Sequence, residues 1–508
     1  MRYFLGIDNG GTATKAALYT PDGKEVAIAA VETEMSISCP GHAERDMKKM
    51  WEANKKVIRD VIEKAKIDSG DIAGISCCGH GKGLYLWGKK DEPLLGILSS
   101  DQRAAAYVKN WNEDKTAEKV YEKTLQSIMV CQPVALLAWL RDNDPQIVKD
   151  IKWVFSCKDY VRFCLTGEPM AELSDASGTN MLNLKTKAYD RELLGYFGID
   201  FIYDALPPLC QATDICGRIT EQTAKETGLK VGTPVFGGMF DINACALAVG
   251  AIKSDRICMI AGTWSMNEYV SDVPITDGSV LMNSLFCIPN KFLIEESSPT
   301  SAGNNEWFMK RVLSSLFEQA KAENKSPYKI ADGLVEALDS NAYCPIFLPF
   351  VMGCNMDPNG MGAFVGLTQY HTCAHLIKSV YEGIVFSHRY HLENLIKSKK
   401  SPIESIRLAG GAARSKVWVQ MFADILGFPI EAVNIKETGA FGCALSIAVA
   451  SGEYKSYEDA IAHMVKIEPA VYPRKEQGKL YEERYRLYIN TEKALESVWQ
   501  SYSEITSD

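Results

Sequence analysis

The chain reads as an α/β protein, and three observations carry that reading. Near the N-terminus, β-prone runs alternate with a segment of helical period. Around residue 260 a strand, a Gly-Thr turn and a second strand repeat an arrangement already present before residue 20. Towards the C-terminus a strand runs into a Gly-Gly turn and helices follow. Strands interleaved with helices imply an α/β architecture.

Taken in order, residues 3–7 are apolar and enter Asp8-Asn9-Gly10-Gly11-Thr12. Further strands are expected at 14–19 and 26–31, because Pro21-Asp22-Gly23 between them is turn chemistry. Proline presets its φ there and glycine accepts a positive one. Residues 47–66 place Met50, Val57, Ile58, Val61 and Ile62 on one face, which predicts a helix. A strand follows at 72–78. Residues 234–238 read as a strand and 241–250 as a helix of small residues. The strand at 257–261 enters Gly262-Thr263-Trp264-Ser265, and 266–270 is β-prone again. Residues 406–411 form a strand and Gly turn, with helices at 415–426 and 439–450 and a long terminal helix at 477–502. No Gly/Ser linker appears, so the repeat alone suggests a boundary, giving domains 1–251 and 252–508.

Composition narrows the function. A chain of 508 residues predicts two to four domains at ~100–200 residues each. With 46% hydrophobic and 23% charged residues, a mainly disordered chain is excluded. Lys and Arg total 55 against 64 Asp and Glu, a net charge of -9, which argues against a general grip on nucleic acid or anionic lipid. Fifteen cysteines, an odd number with no C-x-x-C pair, read as reduced thiols. Asp8 comes too early for a signal-peptide core, and no apolar run approaches the ~18 residues of a membrane span. A cytoplasmic protein with no membrane partner is expected.

Three glycine turns invite a phosphate. Asp8-Asn9-Gly10-Gly11-Thr12 is neither a P-loop nor a dinucleotide fingerprint, since a strand rather than a helix follows it. Paired glycines still let backbone N–H groups approach an anion, Thr12 adds a hydroxyl, Lys15 adds a cation, and Asp8 is a candidate Mg²⁺ ligand. Gly262-Thr263 and Gly410-Gly411-Ala412-Ala413-Arg414-Ser415 offer similar turns in the second half. Each alone is also an ordinary turn. Their co-occurrence suits a nucleotide held in a cleft between domains. Asp241, ahead of a small-residue helix, reads locally as an N-cap.

Together, residues 6–12, Gly237-Gly238-Met239-Phe240-Asp241, Gly262-Thr263 and the 410–415 turn running to Trp418, Gln420 and Asp424 resemble the FGGY family of carbohydrate kinases. The resemblance spans nearly the whole chain. It implies two ribonuclease H-like (actin-like ATPase) domains flanking a central cleft, sugar mainly on the first and ATP mainly on the second. It further implies that Asp241 is the catalytic base, and that Asp8 and Asp241 hold Mg²⁺. Gly10, Gly11, Thr12, Lys15, Gly262, Thr263, Gly410, Gly411, Ala412 and Ser415 would then take ATP. The turn at His80 and Gly81 resembles a Met-His-Gly sugar turn, and Asp101 and Arg103 match the family's acidic and basic pair. The role of Lys82 is not implied.

Within the family, residues 41–46, 99–103 and 298–304 are similar to bacterial L-xylulose kinases. Ser99 stands where many xylulokinases have Trp, which turns the expectation from D-xylulose towards L-xylulose or a close ketopentose. Other FGGY substrates (D-xylulose, erythritol, glycerol) are the alternatives. An actin- or chaperone-like ATPase and a silent sugar sensor are the rivals from other classes. A small-molecule sugar is the expected partner, and a homodimer the default assembly.

Overall fold

The computed structural model describes residues 2–397 and 399–506. The elements that position the site are, in the first half, β1 (Tyr3–Asn9), β2 (Ala13–Tyr19), β3 (Glu25–Glu32), α1 (Met47–Ala65) and β4 (Ile72–Gly79). They continue with α2 (Cys157–Thr166), β5 (Ile215–Arg218), β6 (Pro234–Phe236), β7 (Met239–Phe240) and α3 (Asp241–Ala248). After these come β8 (Arg256–Ala261), β9 (Ser265–Ser271), β10 (Phe292–Ser298), α4 (Pro327–Glu336) and α5 (Cys373–Ile396). The chain closes with β11 (Ser405–Gly410), α6 (Lys416–Leu426), β12 (Ile430–Ala432), α7 (Thr438–Ala450) and α8 (Lys475–Thr506). Among the described residues, no helix is long and apolar enough to cross a membrane.

The chain divides into two units. The first takes residues up to Ile252 together with Val270–Ile294 and Glu437–Val465. The second takes Lys253–Tyr269, Glu295–Lys436 and the residues from Lys466 on. This division departs from a single cut after residue 251 in two places, and α7 gives the physical reason for one. A Cβ on Gly6 of β1 would lie 2.0 Å from the Ala440 carbonyl oxygen, and one on Gly442 would lie 2.2 Å from that of Ala244 in α3. Glycine at both positions lets α7 lie directly against β1 and α3, so the helix belongs to the first unit despite its late place in sequence.

In the first unit the sheet order is β5-β6-β4-β1-β2-β3, with β7 also paired to β4. β1, β2 and β3 form an antiparallel meander, as the Pro-Asp-Gly turn predicts, with Gly23 at φ 78°. β1 and β4 are parallel. α1 begins at the N-cap Asp46, which accepts from the Lys48 and Lys49 amides, and ends at Lys66 in left-handed conformation. Its apolar face carries Val57, Ile58 and Val61, all fully buried. Each such burial contributes roughly 1.5–3 kcal/mol.

The second unit repeats this arrangement. Strands β10-β9-β8-β11-β12 lie side by side. β8 and β9 form an antiparallel hairpin around Gly262–Trp264, and β8 runs parallel to β11. Against this sheet, α5 and α6 are joined by Tyr381 and Trp418, whose rings stack at 4.4 Å.

Candidate active site

β4 organises the first cluster. Asp8 at the end of β1 pairs with Cys78 of β4, and β7 pairs Met239 with Cys78 and Phe240 with Gly79. Asp8 and the Phe240-Asp241 step therefore emerge at the same carboxyl end of the sheet, where α/β proteins place their ligands. The two glycines ahead of β7 make this approach possible. A Cβ on Gly238, at φ 77°, would lie 2.1 Å from the Cys77 carbonyl oxygen. α3 starts at Asp241 itself, with Phe240 in the cap position and no side-chain cap bond. The local reading of Asp241 as an N-cap is thus corrected: the residue sits one position further in, as the first residue of the helix.

Burial pushes the Asp241 carboxyl well above its usual range, and the charges of Asp8 and Asp175 add to this. The Lys82 ammonium and the Ile242 amide pull the other way. Asp8 is raised too, first by burial and then by Glu437, against the lowering effect of Lys15. A pair of part-buried carboxylates raised in this way is a fitting place for a divalent cation. Among the described residues no group of three or more His, Cys, Asp or Glu could hold a metal. A cation here would keep several oxygen ligands from water and phosphate, which is the habit of Mg²⁺.

Lys15 does not stand free beside the glycine turn. Its Nζ lies 2.7 Å from a Glu437 carboxylate oxygen. Burial disfavours its charge, but Glu437 more than offsets that. The N-terminus of α7 closes in on the same place, since a Cβ on Gly439 would lie 2.6 Å from Asp8 Oδ2. Glu437 and Gly439 went unread in the sequence, where nothing links them to residue 8.

The turn after β4 lies close to Asp241. A Cβ on Gly81 would lie 2.2 Å from the Phe240 ring, and Lys82 Nζ sits 5.6 Å from that ring's centroid. The His80 amide donates to the Asn9 carbonyl (3.0 Å), and its Nε2 is 2.8 Å from the Tyr85 hydroxyl. Burial pushes the imidazole down to about 4, so it is neutral at pH 7. Its Nδ1 is buried without a partner, leaving one hydrogen-bonding position for a ligand.

Asp101 and Arg103 bind each other. Arg103 Nε and Nη2 both donate to Asp101, Nη2 also reaches Glu44 at 2.7 Å, and the Ala43 amide donates to Asp101 at 2.7 Å. The Arg103 guanidinium also lies 5.1 Å from the centroid of Trp139. Asp101 is fully buried, and its oxygens are occupied in holding the loop at residue 43. The pair stabilises that loop as it stands here.

The second unit holds a cavity of about 490 Å³ lined by Gly262, Thr263, Gly303, Asp332, Tyr381 and Gly411, among others. That volume lies within the usual range for small-molecule sites. Gly410 and Gly411 differ in kind. Gly410 has φ 92°, and a Cβ there would lie 2.5 Å from the Ala261 carbonyl oxygen. A Cβ on Gly411 would meet nothing closer than 4.0 Å. Ala412 is fully buried and begins the short turn Ala412–Arg414. Ser415 caps α6 by accepting from the Trp418 amide, and it donates to Asp332 at 2.8 Å. Tyr381 donates to the same Asp332 oxygen at 3.0 Å. Burial raises the Asp332 carboxyl, and both donors oppose the shift. Asp332 and Tyr381 carry no sequence motif and went unread.

Residues 3–248 match the FGGY family of carbohydrate kinases, N-terminal domain, and residues 257–451 match the C-terminal domain of that family. The L-xylulose/3-keto-L-gulonate kinase of Escherichia coli strain K12 is 36% identical over 99% of each chain. The crystal structure of ligand-bound xylulose kinase from Lactobacillus acidophilus aligns with a TM-score of 0.87 at 26% identity, covering 99% of this chain and 100% of that one. Gluconate kinase from the same organism aligns equally well, with a TM-score of 0.87 at 26% identity and 99% of both chains covered. The chain belongs to the FGGY family of carbohydrate kinases: it is an ATP-dependent sugar kinase of the two-domain α/β fold.

Proposed function

We propose that this kinase phosphorylates L-xylulose, or a close ketopentose, with Asp241 as the base. The observation that carries the reading is the meeting of Asp241 with Asp8 and with the His80–Lys82 turn against Phe240. Phosphoryl transfer asks chiefly for positioning and charge neutralisation, plus a carboxylate to accept the proton of the attacking hydroxyl. Loss of water and the Asp8 charge raise the proton affinity of Asp241, which suits that task. The free Nδ1 of His80 supplies a neutral hydrogen bond to a sugar hydroxyl. Asp8 and Asp241 would hold Mg²⁺, which when bound neutralises phosphate charge. The Gly10–Thr12 turn takes phosphate oxygens, and the cavity beside Gly411 takes adenosine, with Gly262 and Thr263 on its wall. The first domain is thus read as mainly the sugar side and the second as mainly the nucleotide side. Fifteen free cysteines accord with a reduced, cytoplasmic setting.

One further observation favours a second substrate. The Lys82 ammonium beside Phe240 and Asp241 suits a ketose that carries a carboxylate, and the E. coli relative is named for 3-keto-L-gulonate as well. A single assay tests both readings: coupled ADP release with L-xylulose, D-xylulose, glycerol and 3-keto-L-gulonate. L-xylulose is expected to give the highest kcat/KM, with the keto acid also turned over. A wide margin for glycerol or D-xylulose would overturn the first reading, and no turnover of the keto acid the second.

A further inference from the structure

Every carbonyl of the Gly10–Thr12 turn is engaged from the protein side. The Thr12 carbonyl accepts from the Thr33 amide at 2.9 Å. The carbonyls of Gly10 and Gly11 accept from Arg45, Nη1 at 3.1 Å and Nη2 at 2.5 Å. The turn is closed by the Gly10 amide donating to the Ala13 carbonyl at 3.0 Å. By contrast, the amides of Gly11 and Thr12 donate to no acceptor among the described residues, and both residues are exposed.

These facts are connected by the geometry of the peptide unit. In a planar trans peptide the C=O of one residue and the N–H of the next point in opposite directions. A guanidinium that draws the Gly10 and Gly11 carbonyls towards itself therefore turns the Gly11 and Thr12 amides away from it. Two adjacent outward amides backed by a cation form a concave anion site. Lys15, the other cation near the turn, is occupied by Glu437.

Arg45 is built to hold still. Its amide donates to the Gly96 carbonyl at 2.9 Å, and the next residue is the N-cap of α1. The side chain is 4% exposed. Arginine suits the task because its planar fork reaches two carbonyls at once, whereas a lysine ammonium is a point donor on a flexible stem.

We propose that Arg45 is a positioning residue for phosphoryl transfer, clamping the Gly10 and Gly11 carbonyls from behind so that the Gly11 and Thr12 amides present a preformed site for nucleotide phosphate oxygens. This rests on the reading of that turn as a phosphate turn. The clamp touches no substrate; it acts through the backbone it orients.

The test compares ATP, ADP and adenosine binding by calorimetry, with steady-state kinetics, in the parent and in Arg45→Ala and Arg45→Lys. Losing two charge-assisted bonds should raise the Kd and KM for ATP and ADP by roughly 10- to 100-fold in Arg45→Ala. Adenosine, which has no phosphate, should bind as it does to the parent. Arg45→Lys should fall between the two. Guanidinium chloride at millimolar concentration should partly restore Arg45→Ala, because Arg45 lines a cavity of about 730 Å³ through which the small cation can enter. Unchanged ATP affinity, or equal weakening of ATP and adenosine, would overturn the clamp. If Arg45→Ala does not fold, Arg45→Lys decides by the same ATP-to-adenosine comparison. A parent that itself neither binds ATP nor releases ADP with sugar would instead refute the phosphate-turn reading.

Discussion

Asp241 is where a single substitution separates chemistry from architecture. It is the first residue of α3 rather than its cap, and its carboxylate accepts from the Ile242 amide, an acceptor role that the Oδ1 of asparagine can keep. Asparagine keeps the shape and one acceptor oxygen while removing a charge that Asp8 and Asp175 oppose. Asp241→Asn is therefore expected to melt at or above the parent temperature and to bind sugar and ATP nearly as well. Its single-turnover phosphoryl transfer should fall by ~10²–10⁴-fold, the usual contribution of a general base. A stable variant with near-parent transfer would show that the proton goes elsewhere. The sequence singles out Asp241 and His80 as candidates because each stands in a short, spaced motif. It does not reveal that Lys15 pairs with Glu437, which lies far down the chain, or that the fork of Arg45 rests on two glycine carbonyls.

At the scale of elements, period and turn chemistry carried far. The β1–β3 meander, α1 and β4 form where alternation and Pro-Asp-Gly place them, and strand–glycine–strand recurs in the second unit as β8 and β9. What the pattern does not reveal is which of two neighbouring glycines the fold requires and which stands open to the cavity. Gly410 has a positive φ and no room for a Cβ, whereas Gly411 has an ordinary backbone and an open side facing the cavity. Gly411→Val should fold with a near-parent melting temperature and lose ATP affinity, with sugar binding retained. Gly410→Val should be destabilised outright, because its Cβ would collide with the Ala261 carbonyl. Paired calorimetric titration and thermal unfolding read both outcomes. Full ATP affinity in a folded Gly411→Val would remove this turn from the nucleotide site.

For the whole molecule, the decisive fact is that the first unit is not contiguous in sequence. Local pattern supports a cut near residue 251, since two similar motifs lie on either side of it. Three-dimensional packing returns Glu437–Val465 to the first unit, because α7 lies on β1 and α3 at distances only glycine permits. Phe441, Cys443, Leu445 and Ile447 are at most 3% exposed in that setting, as are Leu5, Ile7 and Leu247 in the elements α7 is packed among. A fragment of residues 1–252 would lack this helix and leave an apolar face uncovered, at ~25 cal/mol for each Å² returned to water. Such a fragment is expected to bind a hydrophobic dye and to lack a cooperative melting transition. The same fragment carrying residues 437–465 on a flexible linker should recover part of that transition and bind less dye. If residues 1–252 alone unfold cooperatively with parent-like near-ultraviolet circular dichroism, α7 is an accessory to the first domain rather than part of its core. The boundary read from the sequence would then describe an autonomous folding unit after all.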